Sequence, residues 1–183
     1  MKHHVTQLEI TAKVQKLWDK LEQQRVRVFQ ELDSVAPSVL NRKASPETWS
    51  ANQNLEHLLA AETASLAYLQ KKLSNGGGDI PKAGFKSQWR RFLLRVAFAV
   101  PTLKFKAPQY LGNLPESSDF SDLKTRFATQ RATLKAFLDT MSDDLMEREV
   151  WKHARAGKMS IAQMLDFFED HFARHERQLK KAI

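Results

Sequence analysis

Cysteine is absent from the 183 residues. That excludes a disulfide scaffold, thiolate metal ligands, cysteine nucleophiles and CxxC redox chemistry. Any metal must be held by His, Asp or Glu, and any thiol chemistry must use a thiol brought in from outside. Glycine and proline are scarce, at six each, and half of the glycines stand together at Gly76, Gly77 and Gly78. Long stretches without either residue favour helices over many short strands. The GGG run lacks the Lys-Ser/Thr that would make it a phosphate loop. No Ser–His–Asp arrangement is legible. Long apolar runs are missing too. The most apolar stretch, Phe92 to Leu103, contains Arg95 and falls well short of the about 20 residues that span a membrane. The opening MKHHVTQLEI has no apolar h-region, so no secretory signal is expected and the cytoplasm is the expected compartment.

Negative charge is missing from one region in particular. The chain carries 29 Lys and Arg against 21 Asp and Glu, a net charge of +8. Lys82, Lys86, Arg90, Arg91, Arg95, Lys104 and Lys106 lie between Pro81 and Tyr110, with no acid among them. Seven of the eight excess charges therefore belong to 30 residues, and the remainder of the chain is nearly balanced. A general affinity for nucleic acid or membrane does not follow from so local a feature.

What is present reads as helix. Leu, Ala, Lys, Glu, Gln and Arg are abundant, and all are good helix formers. The first helix is predicted over Thr6 to Ser34, with Val14, Leu17, Trp18, Leu21, Val28 and Leu32 on one stripe. Thr6 and Glu9 have the form of a capping box. Arg25 interrupts the stripe, either snorkelling to the surface or reaching inward. Residues 35 to 49 are a connection. Ser50 and Gln53 form a second capping box that opens helix two, which ends near Leu73. Leu55, Leu58, Leu59, Leu66 and Leu69 line one side of it, and His57, Ala61, Ala64 and Tyr68 the other. A short basic helix is predicted over Ser87 to Val100. Helix three covers Asp119 to Met141. A turn region follows, and the Ser160/Gln163 capping box opens helix four, which runs to about Lys180.

Four amphipathic helices with one basic crossover predict an all-α fold, a four-helix bundle. One domain over 1–183 is expected, with an insertion at about 79–117 between helices two and three. The aromatics of that insertion, including Phe85, Trp89, Phe92 and Phe98, are expected in the core beneath a basic cover.

His171 and His175 lie four apart, one turn along a single helix face, a spacing at which two imidazoles can share a metal ion. They fall on the apolar side of helix four. Two adjacent buried imidazoles without partners would cost about 1–3 kcal/mol for each unsatisfied group. His57 lies within the other buried helix beside small residues. Three histidines from two helices would make an open, catalytic type of metal site. The plainer alternative is that His57 bonds a backbone carbonyl or Glu62 and never meets the pair. His3, His4 and His153 read as terminal or loop residues.

Trp49, Ser50, Gln53, Leu55, His57 and Leu58, followed by Gly157, Ser160, Gln163, His171, His175 and Gln178, resemble the DinB-like superfamily of bacterial metal-binding bundles. That group includes YfiT-like hydrolases and bacillithiol- or mycothiol-dependent S-transferases. The resemblance implies an up-down-down-up bundle with a divalent metal (Zn, Ni, Fe or Mn) near one end of the core. It implies His57, His171 and His175 as ligands, and an acidic residue at the position of Glu62. The expected function is a divalent-metal-dependent thiol S-transferase or hydrolase, with a low-molecular-weight thiol or water as nucleophile. A small molecule is the expected substrate, nucleic acid is not an expected partner, and a homodimer is allowed. The rival function is a non-enzymatic binding module that uses the basic aromatic segment 82–106 on nucleic acid or an anionic surface, with the metal structural or absent.

Overall fold

The computed structural model describes residues 12–74, 79–100, 103 and 113–183. The chain is all-α apart from one small hairpin among these residues. Its elements are α1 (Ala12–Asp33), α2 (Pro37–Leu40), α3 (Ala51–Leu73), α4 (Phe85–Ala99), α5 (Phe120–Leu138), α6 (Asp143–Met146), β1 (Trp151–His153), β2 (Gly157–Met159) and α7 (Ile161–Ala182). The four long helices α1, α3, α5 and α7 are the predicted bundle. The first turn of the predicted first helix, with its Thr6/Glu9 box, lies outside the described residues. So do Gly76 to Gly78 and most of the stretch after α4.

Two capping boxes start the helices that matter most. Ser50 accepts from the Gln53 amide, and the Gln53 side chain returns to the Ser50 amide. Ser160 and Gln163 repeat the arrangement at the start of α7. Each box satisfies two of the donors that a helix start leaves unpaired. Asp119 caps α5 by accepting from the Asp122 amide.

Contacts along the bundle give the helix directions. Lys20 on α1 pairs with Glu169 on α7, and Arg27 with Glu176 seven residues further along both helices, so the two run parallel. One apolar cluster joins Val14, Trp18, Leu66, Leu69, Leu134, Leu138, Met164 and Leu165. A second joins Val28, Leu32, Leu55, Leu58, Leu123, Phe127, Phe172 and Leu179. The early part of α3 therefore meets the early part of α5 and the late part of α7. The order is up-down-down-up. Adjacent parallel helices need a long connection, and the α3–α5 connection supplies it with α4.

α4 packs along α7. Leu94 and Phe98 are buried beneath it, and Arg91 is only 5% exposed. The Arg91 guanidinium bonds the Asp166 and Asp170 carboxylates, and Arg95 meets the same two acids. Lys82 pairs with Asp144. The local cation excess is thus partly neutralised by acids from elsewhere in the chain. At the far end of α4, Arg174 and Arg177 donate to the Phe98 carbonyl, and Arg174 also to the Val100 and Leu103 carbonyls just beyond the helix.

Two expectations need correction. Of the α4 aromatics only Phe98 is in the core; Phe85 is 79%, Trp89 51% and Phe92 52% exposed. Arg91 instead turns inward beside Leu94 and Phe98. The predicted turn region before helix four also contains the β1–β2 hairpin, with Trp151 opposite Met159 and His153 opposite Gly157. Gly157 has φ +84°, a conformation that a side chain disfavours. Strands of three residues leave too little alternation to show in a sequence.

Candidate metal centre

His57 comes from the second turn of α3, and His171 and His175 from the later half of α7. Because those helices run antiparallel, the three rings meet in the second apolar cluster's end of the bundle. The arrangement was open from the sequence, and here the pair and the single histidine do come together. His57 Nε2 lies 3.2 Å from His171 Nε2, which lies 3.1 Å from His175 Nε2. All three residues are buried, between 5% and 7% exposed.

The neighbours orient the rings. The Asn54 amide nitrogen donates to the Ser50 carbonyl, which directs its Oδ1 at His175 Nδ1, 2.8 Å away. His175 therefore carries its proton on Nδ1 and turns the Nε2 lone pair toward the other two rings. Trp49 stacks on His175 at 16° between planes and lies 4.9 Å from the His57 ring centre. Phe167 stacks on His171 from the opposite end, and Phe98 of α4 leans on the same ring. The capping box of α3, the Trp before it and Asn54 within it thus all act on one cluster.

Electrostatics keep the rings neutral. Burial pushes His57 down to about 4. Burial, then the neighbouring imidazoles, holds His171 well below the ordinary histidine value. Burial, then His57 and Arg174, does the same for His175. Three neutral imidazoles are three lone-pair donors, the form in which histidine binds metal.

The donor set fits a divalent ion better than it fits a hydrogen-bonded triad. A proton on His171 Nε2 can make one linear bond, to one neighbour. The other contact at the same nitrogen is then not a linear hydrogen bond. With metal–nitrogen bonds of about 2.0–2.1 Å, a tetrahedral site separates its nitrogens by about 3.3–3.4 Å. The observed 3.1 and 3.2 Å are close to that. Among the described residues these three form the one grouping of three or more His, Asp or Glu donors close enough for a shared ion.

Other predicted neighbours do not join it. Both oxygens of Glu62 are taken by Arg131, at 2.6 and 2.7 Å. Arg131 also reaches Glu22, and Arg25 bonds Glu22 on α1. Arg25 and Glu62 thus belong to a buried charge network. The sequence did not single out Arg131: it lies at an inward position of α5, but an arginine at such a position usually snorkels. His153 accepts from the Arg155 and Ala156 amides through Nδ1. Its ring packs on Trp151 and Phe167. Burial, aided by Arg155 and Arg91, lowers it to about 4.

Comparison with known proteins agrees with this construction. A model of the DinB superfamily matches residues 20–179. The uncharacterized protein YuaE of Bacillus subtilis (strain 168) is 27% identical over 157 residues, covering 86% of this chain and 91% of YuaE. No solved structure matches the chain.

Proposed function

The chain belongs to the DinB superfamily, and from that premise we propose that it is a divalent-metal-dependent enzyme of the thiol S-transferase or hydrolase type, with His57, His171 and His175 as the metal ligands. The observation that carries this reading is the convergence of three buried Nε2 atoms at 3.1–3.2 Å. A divalent ion held by three neutral ligands keeps its charge and open positions, and supplies Lewis acidity for activating a thiol or water.

The chain's own residues have separate tasks. Asn54 holds the His175 proton on Nδ1 and so keeps Nε2 available for ligation. Trp49, Phe98 and Phe167 pack against the imidazoles and limit water at the cluster. With no cysteine in the sequence, a thiol nucleophile has to be a small molecule such as bacillithiol. Neither Glu62 nor His153 closes the grouping as a fourth donor, which suits a catalytic rather than a structural ion.

Metal analysis of protein purified without a His-tag tests the ligand set. Near-stoichiometric divalent metal is expected in the native chain, with occupancy lost in His57→Ala and in His171→Ala while far-UV circular dichroism stays helical. Metal retained in both variants would sink the assignment. Loading with Zn, Ni, Mn or Fe, then assaying an epoxide or chlorinated arene with and without thiol, and an ester without thiol, separates the two reactions. Turnover that needs both metal and thiol selects the transferase; metal-dependent turnover with water alone selects the hydrolase.

A further inference from the structure

α4 turns an apolar face outward. Ser87, Arg91, Leu94 and Phe98 form its buried side. At 100° per residue, Phe85, Trp89, Phe92 and Val96 fall on the opposite side, a stripe about 17 Å long. All four are exposed, from 45% to 79%. Leu93 and Val100 widen the stripe and are also exposed. The outward face is therefore richer in aromatics than the face that packs on the bundle. Single exposed apolar residues are ordinary, but a continuous stripe of this kind marks a contact surface.

Cations edge the stripe on both sides, Lys86 and Arg90 on one and, already paired with Asp166 and Asp170, Arg95 on the other. The helix contains no acid. Lys86 has no acidic partner among the described residues. Beside Phe92, a groove of about 410 Å³ opens between α1 and α4, and Lys13, Lys16 and Lys20 of α1 line it. Lys13 and Lys20 pair with Glu147 and Glu169; Lys16 has no ion-pair partner among the described residues. The groove lies against the start of α7, at Ala162 and Gln163, about two helical turns from His171.

We propose that the outer face of α4 docks on an anionic phospholipid bilayer, with Phe85, Trp89, Phe92 and Val96 entering the interface and the flanking lysines and arginines meeting headgroup phosphates. An interfacial helix has this form: aromatics and aliphatics on one face, basic residues along its borders, and no acid. A second copy of the chain across a twofold axis would set these cations against the same cations. Single-stranded nucleic acid could stack on Trp89 and Phe92, but it has no use for the aliphatic Leu93, Val96 and Val100, which a bilayer interface buries. Charge and side-chain chemistry together select an anionic lipid surface.

Vesicle co-sedimentation tests this with the full chain. Binding is expected to equimolar phosphatidylglycerol–phosphatidylcholine vesicles, with little or none to phosphatidylcholine alone. Trp89→Ser/Phe92→Ser and Lys16→Glu/Lys86→Glu change exposed positions, so circular dichroism and thermal melting should match the native chain. Each pair should weaken binding on the order of tenfold or more, the lysine pair by losing attraction to the anionic leaflet and the aromatic pair by losing apolar burial in the interface. The proposal is overturned by failure to bind the anionic vesicles, by equal binding of native and variant chains, or by equal binding to neutral vesicles. It is also overturned if the native chain ignores vesicles and instead forms a dimer, or binds a single-stranded oligonucleotide, in a way that Trp89→Ser/Phe92→Ser abolishes.

Discussion

Arg131 and Glu62 are the most deeply committed charges in the bundle, 1% and 2% exposed. Burial pushes the Glu62 carboxyl up, and the Arg131 guanidinium opposes that. Removing only the cation leaves a carboxylate in the core. Arg131→Ala should therefore cost about 3–5 kcal/mol in urea unfolding. Arg131→Met with Glu62→Leu should recover most of it, because an apolar pair needs no compensation. Glu62→Gln should leave metal content unchanged, since Glu62 is held by Arg131 and not by the histidine cluster; loss of metal would give this carboxylate a part in the site. The histidines make a different prediction, about pH. In the metal-free fold His57 and His153 are lowered from 6.5 to about 4. Between those values the unfolded chain takes protons that the fold refuses, so stability must fall as pH falls from 6.5 to 4. For His57 the shift corresponds to about 3 kcal/mol. Glu176, lowered to about 2 by its bonds to Arg27 and Lys180 against burial, acts in a lower window, from 4.5 down to 2. A metal-free urea midpoint that stays flat from pH 7 to 4 would contradict the buried, neutral histidines.

The helices differ in how much of them a sequence can disclose. α3 and α7 carry capping boxes and regular leucine or phenylalanine spacing, and their starts lie where Ser50 and Ser160 place them. The His171/His175 pair was legible because both histidines share one helix and one face. Its meeting with His57 was implied by the DinB-like resemblance but not by the residue spacing, because it depends on α3 and α7 running antiparallel with a particular axial offset. α4 was misread in one respect. Its spacing shows an amphipathic helix, but aromatic residues carry no label saying which face is inward. The choice was made by Asp166 and Asp170 of α7, which draw Arg91 inward. A charge reversal at Arg91 should therefore detach α4, unlike one at Lys86. Arg91→Glu is expected to increase hydrogen exchange throughout α4, whereas Lys86→Glu is expected to leave it unchanged. The caps offer a second check at this scale. Ser50→Ala and Ser160→Ala should each cost about 0.5–2 kcal/mol. Only Ser50→Ala should also weaken metal binding, because the Ser50 turn sits between Trp49 and Asn54.

Across the whole molecule the histidine cluster and the core form one mechanical unit. His57 belongs to the early part of α3 and His171 and His175 to the late part of α7, so an ion shared by them ties two helices that are far apart in sequence. Such an ion binds the native arrangement and not the unfolded chain. Its effect on stability then follows from mass action, about 2.7 kcal/mol when free metal is a hundred times its dissociation constant. For a chain of this size each kcal/mol moves the melting temperature by about 2–4 °C. Zinc or nickel added to chelator-treated protein at pH 7.5 should therefore raise Tm by roughly 5–11 °C. The same addition to His57→Ala should do little. At pH 5 most of the rise should remain, because burial keeps the three imidazoles neutral well below the ordinary histidine range. Trp89→Ser/Phe92→Ser should keep the full rise, since those side chains face away from the bundle. A rise that survives in His57→Ala would place the ion elsewhere. A rise lost in the α4 variant would mean that the outer face of α4 and the histidine cluster are coupled through Phe98, which packs against His171.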